Sequence, residues 1–262
     1  MLEFLRARLR QRVAPASLDP GESGLPARFR GRPVVAQGPA AVVGDDASLG
    51  AGLPERAGRR LPIVDLGRSV FAPEQAEDGE SYSLRFTQDY RMATRRRDAL
   101  LTSTGEIELA RALDVTMRRL LGRSLRLRQV AAGSCGGCEA ELVALGNVVF
   151  DMARFGIQFV ASPRHADGIL VTGAISANMH DALLKTYEAV PDPRIVVAVG
   201  ACAISGGVFG GSAEVLGGVP AQIPVDLWVP GCPPHPLTVL DGLLRLLGRV
   251  EGSTGLDGPQ RT

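Results

Sequence analysis

The chain has 262 residues, of which 45% are hydrophobic and 5% aromatic, and its formal net charge at pH 7 is +1. A chain of this length can bury one large core and a smaller appendage, and a charge so close to zero gives no reason to expect nucleic acid or a strongly acidic partner. Its four cysteines are too few for a disulfide-stapled scaffold.

The first 15 residues alternate leucine with arginine, which predicts a short basic amphipathic helix with Leu2, Leu5 and Leu9 on one side. This segment lacks the continuous apolar stretch of a secretory signal. Docking of the helix on a neighbouring subunit and weak contact with lipid head groups are both open. No apolar run in the sequence reaches the roughly 18 to 20 residues that span a bilayer. We therefore expect a cytoplasmic chain that associates with a membrane only indirectly.

Residues 16–60 are rich in proline, glycine and alanine without a sustained period, which predicts a loop or an extended arm. Short elements are predicted at residues 61–66 and 82–87. An arginine-rich stretch and a helix over residues 107–121 follow them.

The second half of the chain alternates short runs of Val, Ile and Leu with helical patterns, which is typical of a parallel sheet covered on both faces. Strands are predicted at residues 127–131, 158–161, 168–172, 195–199 and 226–229. Helices are predicted at residues 138–153, 176–189 and 235–250. The pattern predicts an α/β fold with a doubly wound, flavodoxin-like parallel sheet, whose functional groups collect at the carboxyl ends of the strands.

Each of the four cysteines lies where a predicted strand runs into a glycine-rich turn. They are Cys135, Cys138, Cys202 and Cys232. Four converging thiolates form a soft site that suits zinc or an iron–sulfur cluster. The glycines would let the backbone wrap closely around a bulky group and supply amide donors. The positive end of the predicted helix dipole would favour the Cys138 thiolate.

An iron–sulfur cluster explains all four thiols, and two alternatives stay open. A structural zinc site usually combines two close Cys pairs, whereas Cys202 and Cys232 are far apart in the sequence. A redox dithiol at Cys135 and Cys138 would leave the other two without a purpose. The sequence contains no phosphate loop and no convincing dinucleotide fingerprint, so direct binding of NAD or ATP is not expected.

Several separated motifs carry a resemblance to a known family, over roughly residues 127–248. In order they are Cys135-Gly-Gly-Cys138-Glu-Ala-Glu141, Ser162-Pro-Arg-His-Ala-Asp167, Thr172-Gly-Ala174, Pro191-Asp-Pro-Arg194, Gly200-Ala-Cys202-Ala-Ile-Ser-Gly-Gly207 and Val225-Asp-Leu-Trp-Val-Pro-Gly-Cys-Pro-Pro234. The chain resembles the small, cluster-bearing subunit of membrane-bound [NiFe]-hydrogenases of the formate hydrogenlyase type, which is homologous to a subunit of complex I. Complex I proteins usually place the first two ligands side by side, so the Cys-x-x-Cys spacing resembles the hydrogenase branch.

The resemblance implies a flavodoxin-like fold and one [4Fe–4S] cluster held by the four cysteines. It implies one-electron transfer beside a large catalytic subunit, next to ferredoxin-type and membrane subunits at the inner face of the cell membrane. A complex I-like quinone oxidoreductase subunit and a scaffold subunit without redox work remain as alternatives. Glu141 matches an acidic family residue that tunes the cluster or passes protons, although an ordinary helix-start carboxylate explains it equally well. Arg164 and His165 precede a predicted strand and either face the large subunit or have a structural role.

The N-terminal half resembles the two-cluster ferredoxin subunit of the same complexes. The segments that carry this resemblance are Phe29-Arg-Gly-Arg-Pro-Val34, Leu66-Gly-Arg68, Leu84-Arg-Phe-Thr-Gln-Asp-Tyr90 and Arg95-Arg-Arg-Asp98. The cluster-binding spacing C-x2-C-x2-C-x3-C-P falls on Ser69, Ala72, Gln75 and Gly79, with Glu80 at the proline, so no ligand is left. Residues 1–125 are therefore predicted to be a degenerate ferredoxin-like tether without clusters that packs against adjacent subunits. An unrelated adaptor-like extension stays open. Residues 126–250 form the predicted cluster-binding domain, and residues 251–262 a flexible tail.

Overall fold

The computed structural model describes residues 16–20, 24–37, 55–56, 59–60, 64–71, 82–121 and 124–250. The predicted helix over residues 1–15 and the predicted tail over residues 251–262 lie outside these ranges. Among the described residues, no helix has the length and apolar character needed to cross a membrane.

The described segments contain short strands in the first half and a regular alternation of strands and helices in the second. The strands are β1 (Pro33–Gln37), β2 (Glu55–Arg56), β3 (Arg59–Arg60), β4 (Val64–Asp65), β5 (Tyr82–Phe86), β6 (Leu101–Thr102), β7 (Leu125–Ala131), β8 (Ile157–Phe159), β9 (Gly168–Thr172), β10 (Ile195–Val199) and β11 (Leu227–Val229). The α-helices are α1 (Val115–Leu121), α2 (Gly137–Ala144), α3 (Ala177–Glu188), α4 (Ala201–Ser205) and α5 (Pro236–Leu246).

The second half is built on a five-stranded parallel sheet in the order β11-β10-β9-β7-β8. Counted along the chain, this is the order 2-1-3-4-5 of flavodoxin-like sheets. Every residue of the central strands β9 and β10 is buried, as expected for strands covered on both faces. The predicted flavodoxin-like α/β fold is confirmed.

The two faces of the sheet carry different layers. In β9, Leu170 belongs to an apolar cluster that includes residues of α2 and α5. Its neighbours Ile169 and Val171 belong to a cluster on the opposite face, which includes Leu183 of α3. Successive strand residues point to opposite faces, so the helices enclose the sheet from both sides.

The described residues 16–121, which we call the N-terminal segment, pack against this sheet. Leu66 and Leu100 are fully buried in a third apolar cluster that contains Ala198 of β10 and Ile204 of α4. The segment also extends the edge strand β11, because the Thr94 amide donates to the Trp228 carbonyl at 3.0 Å and the Trp228 amide returns a 2.8 Å bond. The segment thereby covers an edge that would otherwise expose unpaired backbone groups.

Two predicted helices are shorter than expected. The helix predicted over residues 107–121 begins only at Val115, because residues 106–109 alternate between exposed and buried, the period of extended backbone. The helix predicted over residues 138–153 ends at Ala144. Asn147 then accepts hydrogen bonds from the amides of Val149 and Phe150 at 2.8 and 3.1 Å, which turns the chain.

The loop predicted over residues 16–60 is only partly correct. It contains β1, which pairs antiparallel with β5, and the β2–β3 pair. The element predicted at residues 82–87 corresponds to β5, and the one predicted at residues 61–66 contains β4, which pairs with β6. Because the partner of β1 lies far along the chain, no local period signals this strand.

Candidate metal centre

The four cysteines follow the carboxyl ends of three strands of the parallel sheet. Cys135 lies between β7 and α2, and Cys138 is the second residue of α2. Cys202 lies in α4, directly after β10, and Cys232 lies in the turn between β11 and α5. Because the strands are parallel, these turns meet at the same edge of the sheet.

The four thiols are free, and they affect one another electrostatically. The pKa of Cys138 is raised to about 12, mainly by burial and then by Glu139 and the three other thiols. Burial also raises the pKa of Cys202, and the nearby Cys232 and Cys135 add to the effect. The pKa of Cys232 is raised by burial and, to a smaller extent, by Cys135. Four thiolates in this partly buried site would repel one another. The positive charge of a bound metal centre would offset this repulsion and keep the coordinating thiols deprotonated.

The cysteines differ in their exposure. Cys138 and Cys202 are buried, whereas Cys135 and Cys232 are exposed. A group bound by all four would be anchored in the protein on one side and would approach the surface on the other.

Two glycines bring the backbone directly against the buried thiols. A Cβ atom at Gly200 would lie 2.6 Å from the Cys138 Sγ, and one at Gly207 would lie 2.6 Å from the Cys202 Sγ. Both residues have positive φ angles, of 89° and 55°, which favour glycine. This close wrapping of backbone around sulfur fits a site where amides surround a bulky group.

The side chains do not form a compact site for a single ion. In the described part of the chain, no three His, Cys, Asp or Glu side chains are grouped to hold one metal ion. Tetrahedral zinc, with Zn–S distances of about 2.3 Å, would bring the sulfurs to within about 4 Å of one another. In a cubane each thiolate binds a different iron, so its four ligands stand farther apart. Four thiolates are soft donors, which suit zinc or an iron–sulfur cluster.

The backbone of Val208 lowers the pKa of the Cys202 thiol, against the larger effect of burial, which raises it. Val208 follows Gly207 in the turn after α4.

Glu139 is a site residue that sequence reasoning missed. Its Oε1 accepts a hydrogen bond from the Thr172 hydroxyl at the end of β9, and its Oε2 is buried without a hydrogen-bond partner among the described residues. Its negative charge raises the pKa values of Cys138 and Cys202. The available signal was its position, since it directly follows Cys138.

Of the other predicted site residues, Glu141 lies in the same helix as Cys138, whereas Arg164 and His165 precede the amino end of β9 and are not brought to the cysteine edge. Glu141 is half-buried in α2, and burial raises the pKa of its carboxyl. Arg164 and His165 are exposed on the short 3₁₀ turn Pro163–His165 after β8. Their predicted roles beside a cluster or in a proton path stay predictions.

Comparison with known proteins places the four cysteines within one family region. The family model described as the 20 kDa subunit of NADH ubiquinone oxidoreductase matches residues 135–246. This span begins at the first cysteine and contains the other three. The N-terminal segment lies outside it.

Three curated relatives show the range of this similarity. Formate hydrogenlyase subunit 7 of Escherichia coli (strain K12) is 40% identical over 148 residues, which cover 56% of this chain and 58% of that protein. A probable membrane-bound hydrogenase subunit of Pyrococcus furiosus is 42% identical over 132 residues, covering 50% of this chain and 79% of that protein. An NADH-quinone oxidoreductase subunit of Bacteroides thetaiotaomicron is 46% identical over 131 residues, covering 50% of this chain and 66% of that protein. The chain thus spans less than two thirds of the length of the Escherichia coli relative and just under two thirds of the Bacteroides relative.

Proposed function

The chain belongs to the family of the 20 kDa subunit of NADH ubiquinone oxidoreductase, and from this premise we propose that it relays electrons within a membrane-associated [NiFe]-hydrogenase-type complex. Named relatives are subunits of hydrogenases and of NADH-quinone oxidoreductases. The observation that carries the proposal is the meeting of the three turns that bear the four cysteines at one edge of the sheet, with two thiols buried and two exposed.

Cys135, Cys138, Cys202 and Cys232 would hold one [4Fe–4S] cluster. Such a cluster, when bound, accepts and donates one electron at a time. The buried Cys138 and Cys202 would anchor it, while the exposed Cys135 and Cys232 would mark the side open to a redox partner. Gly200 and Gly207 leave room for the sulfur atoms against the backbone.

The proposed partner is a large catalytic subunit of the [NiFe]-hydrogenase type, with ferredoxin-type and membrane subunits nearby. The nickel and iron of such a complex would be held by the large subunit, so this chain would only pass electrons to it or from it. We place the chain at the cytoplasmic face of the cell membrane, held there through its partners. Glu141 is proposed to lie beside the cluster, and Arg164 and His165 are proposed to face the large subunit.

A complex I-like quinone oxidoreductase is the second candidate, since the Bacteroides NADH-quinone oxidoreductase subunit is 46% identical to this chain over 131 residues. The spacing of Cys135 and Cys138, with two glycines between them, favours the hydrogenase branch. The partner decides between the two: a copurifying large subunit with its own two Cys-x-x-Cys pairs would support hydrogenase chemistry, and one without them would support the quinone reductase.

The direct test is anaerobic purification of the full chain with its complex, followed by iron analysis, visible absorption and electron paramagnetic resonance (EPR). We expect about four irons per chain and the broad brown absorption of a cluster. A colourless chain with zinc or no metal would leave only a scaffold role. About eight or twelve irons per chain would contradict the proposal that the N-terminal segment lacks clusters.

A further inference from the structure

We propose that a groove on the N-terminal segment, lined by arginines and apolar side chains, docks an extended acidic stretch of another subunit of the complex. The groove consists of two adjoining cavities with volumes of about 410 and 700 Å³, and Arg95 and Arg96 line both of them. We call these two cavities together the arginine groove. The inference rests on the proposed function for its partner, a neighbouring subunit, but it does not require a bound cluster.

The backbone beneath the arginine groove is held on both sides. The Ala110 amide donates a hydrogen bond to the Ala93 carbonyl at 2.7 Å. The next residue, Thr94, exchanges two backbone hydrogen bonds with Trp228 of β11, and its hydroxyl donates to the Arg96 carbonyl at 2.8 Å. The stretch that carries the arginines is therefore fixed before any partner binds, which reduces the entropy that docking costs.

The smaller cavity has an excess of positive charge. Three arginines line it, and Glu108 is the one carboxylate among its lining residues. The Arg111 guanidinium lies 3.1 Å from Glu108, and these side chains are 81% and 46% exposed. The Arg95 guanidinium lies 3.7 Å from Asp226, beyond hydrogen-bond distance. Because exposed ion pairs contribute only about 0–1 kcal/mol, carboxylates of a partner can replace these contacts at little cost.

Arg97, in the same stretch, is bound differently. Its guanidinium donates to both carboxylate oxygens of Asp65, at 2.8 and 2.5 Å, and the Asp65 side chain is only 10% exposed. This bidentate pair holds the turn after β4. Arg95 and Arg111 have no such bidentate carboxylate among the described residues, so they are the arginines that a ligand can engage.

Apolar side chains accompany the arginines along the groove. Leu109 lines the smaller cavity, and Leu101 and Trp228 line the larger one. Leu101 is 46% exposed. A small anion would engage the arginines but leave these apolar side chains uncovered, and a flat lipid surface would not enter two concave cavities. A peptide stretch with both carboxylates and apolar side chains matches both kinds of residue, and Arg and Trp are enriched in protein interfaces.

The test places a photo-crosslinking residue in the groove of the anaerobically purified complex. With p-benzoylphenylalanine in place of Leu101, we expect a crosslink to one stretch of a neighbouring subunit, and mass spectrometry should show Asp or Glu together with apolar residues in it. The same residue in place of Lys185, which is exposed on α3, should not capture that stretch. Crosslinks to lipid, to a stretch without acidic residues, or to no other subunit would overturn the inference.

Charge reversal then tests the complementarity. Arg111→Glu should lower the yield of that crosslink about tenfold, because it turns an attraction into a repulsion. Lys185→Glu makes a comparable charge change outside the groove and should leave the yield unchanged. Exchanging the crosslinked acidic residue of the partner for arginine should restore the yield in Arg111→Glu.

Iron content and EPR separate this inference from the proposed function. Both should stay at the wild-type level in Arg111→Glu, since the groove holds no cysteine. An unchanged crosslink yield in folded Arg111→Glu would overturn the docking of an acidic stretch and leave the cluster untouched. A wild-type complex that gives the crosslink but contains no iron would contradict the proposed electron relay and leave the groove as a docking site.

Discussion

The parallel sheet and the N-terminal segment reach their structures in different ways. In the sheet, β9 and β10 pair over all five residues, every residue of both strands is buried, and the helix α3 connects them. In the N-terminal segment, β1 and β4 pair with the distant strands β5 and β6, and Leu66 and Leu100 are buried against residues of the sheet domain. The strands of the sheet can therefore be recognised from their own sequence. The structure of the N-terminal segment depends instead on long-range pairing and on packing against the sheet domain.

The largest difference expected between the two regions is in metal binding. We expect Cys202→Ala to lose most of its iron and to abolish electron transfer through the complex, because a cubane needs four thiolates. Ser69→Ala, at the first of the four ligand positions of the ferredoxin-like spacing, should keep the wild-type iron content. Iron analysis and EPR of both variants check this. Retention of the cluster and of activity by Cys202→Ala would favour the scaffold role, and loss of iron from Ser69→Ala would show that the N-terminal segment binds metal.

The next largest effect is expected for a buried ion pair of α5, whose charge also acts on the N-terminal segment. Asp241 and Arg245 of α5 form a buried 2.8 Å salt bridge, and the charge of Asp241 also acts on Tyr90 and Arg91 of the N-terminal segment. Because removing one member of a buried pair leaves the other charge poorly compensated, Asp241→Asn should lower the free energy of unfolding by about 3–5 kcal/mol.

The control for that change is Asp98→Asn, which breaks the exposed pair of Asp98 with Arg96. We expect no measurable loss of stability there, since water and salt screen exposed pairs. Chemical denaturation of both variants measures the difference. Equal effects would mean that the buried pair contributes no more than a surface pair.

Core truncation asks whether the two regions unfold together. Leu66 in the N-terminal segment and Leu170 in β9 are both fully buried, so Leu66→Ala and Leu170→Ala should each cost about 2–5 kcal/mol. If the N-terminal segment depends on the sheet, both variants should unfold in one cooperative transition, seen alike by circular dichroism and by Trp228 fluorescence. Two separate transitions, with Leu66→Ala shifting only the first, would show that the segment is an independent domain.

The same division explains what could be predicted from the sequence. The predicted strands at residues 168–172 and 195–199 coincide with β9 and β10 residue for residue, because buried parallel strands are short apolar runs bounded by turn residues. The turns bearing the cysteines could be placed at one edge for the same reason. The strand β1 could not, because its pairing with β5 depends on residues about 50 positions away.

Within the site, the sequence identified the thiols but not the groups that support them. The Glu139–Thr172 hydrogen bond joins α2 to the end of β9, and the Ser205–Gly67 bond joins α4 to the N-terminal segment. Both contacts connect residues that are distant in the chain. A motif names the residue that binds, whereas its neighbours follow only from the three-dimensional arrangement.

The smallest expected effect concerns the pH dependence of a contact between the two regions. His235 precedes α5, its Nδ1 accepts a hydrogen bond from the Leu237 amide at 3.2 Å, and its ring meets Phe29 of the N-terminal segment edge-on, with 5.3 Å between the ring centroids. Burial lowers the pKa of His235 below its ordinary value of 6.5. The unfolded chain therefore binds more protons as the pH falls through that value, so this residue reduces stability at acidic pH and not at neutral pH.

His235→Asn isolates the contribution of His235 protonation to the pH dependence of stability. Asparagine can still accept the Leu237 hydrogen bond at the helix start but does not titrate near neutral pH. Loss of the ring contacts should destabilise the variant equally at about pH 7.5 and about pH 5.5, whereas the wild type loses additional stability at the lower pH. The stability difference between wild type and variant should therefore shrink as the pH falls. A difference between wild type and His235→Asn that stays constant with pH would show that the contact between the regions does not depend on a neutral His235.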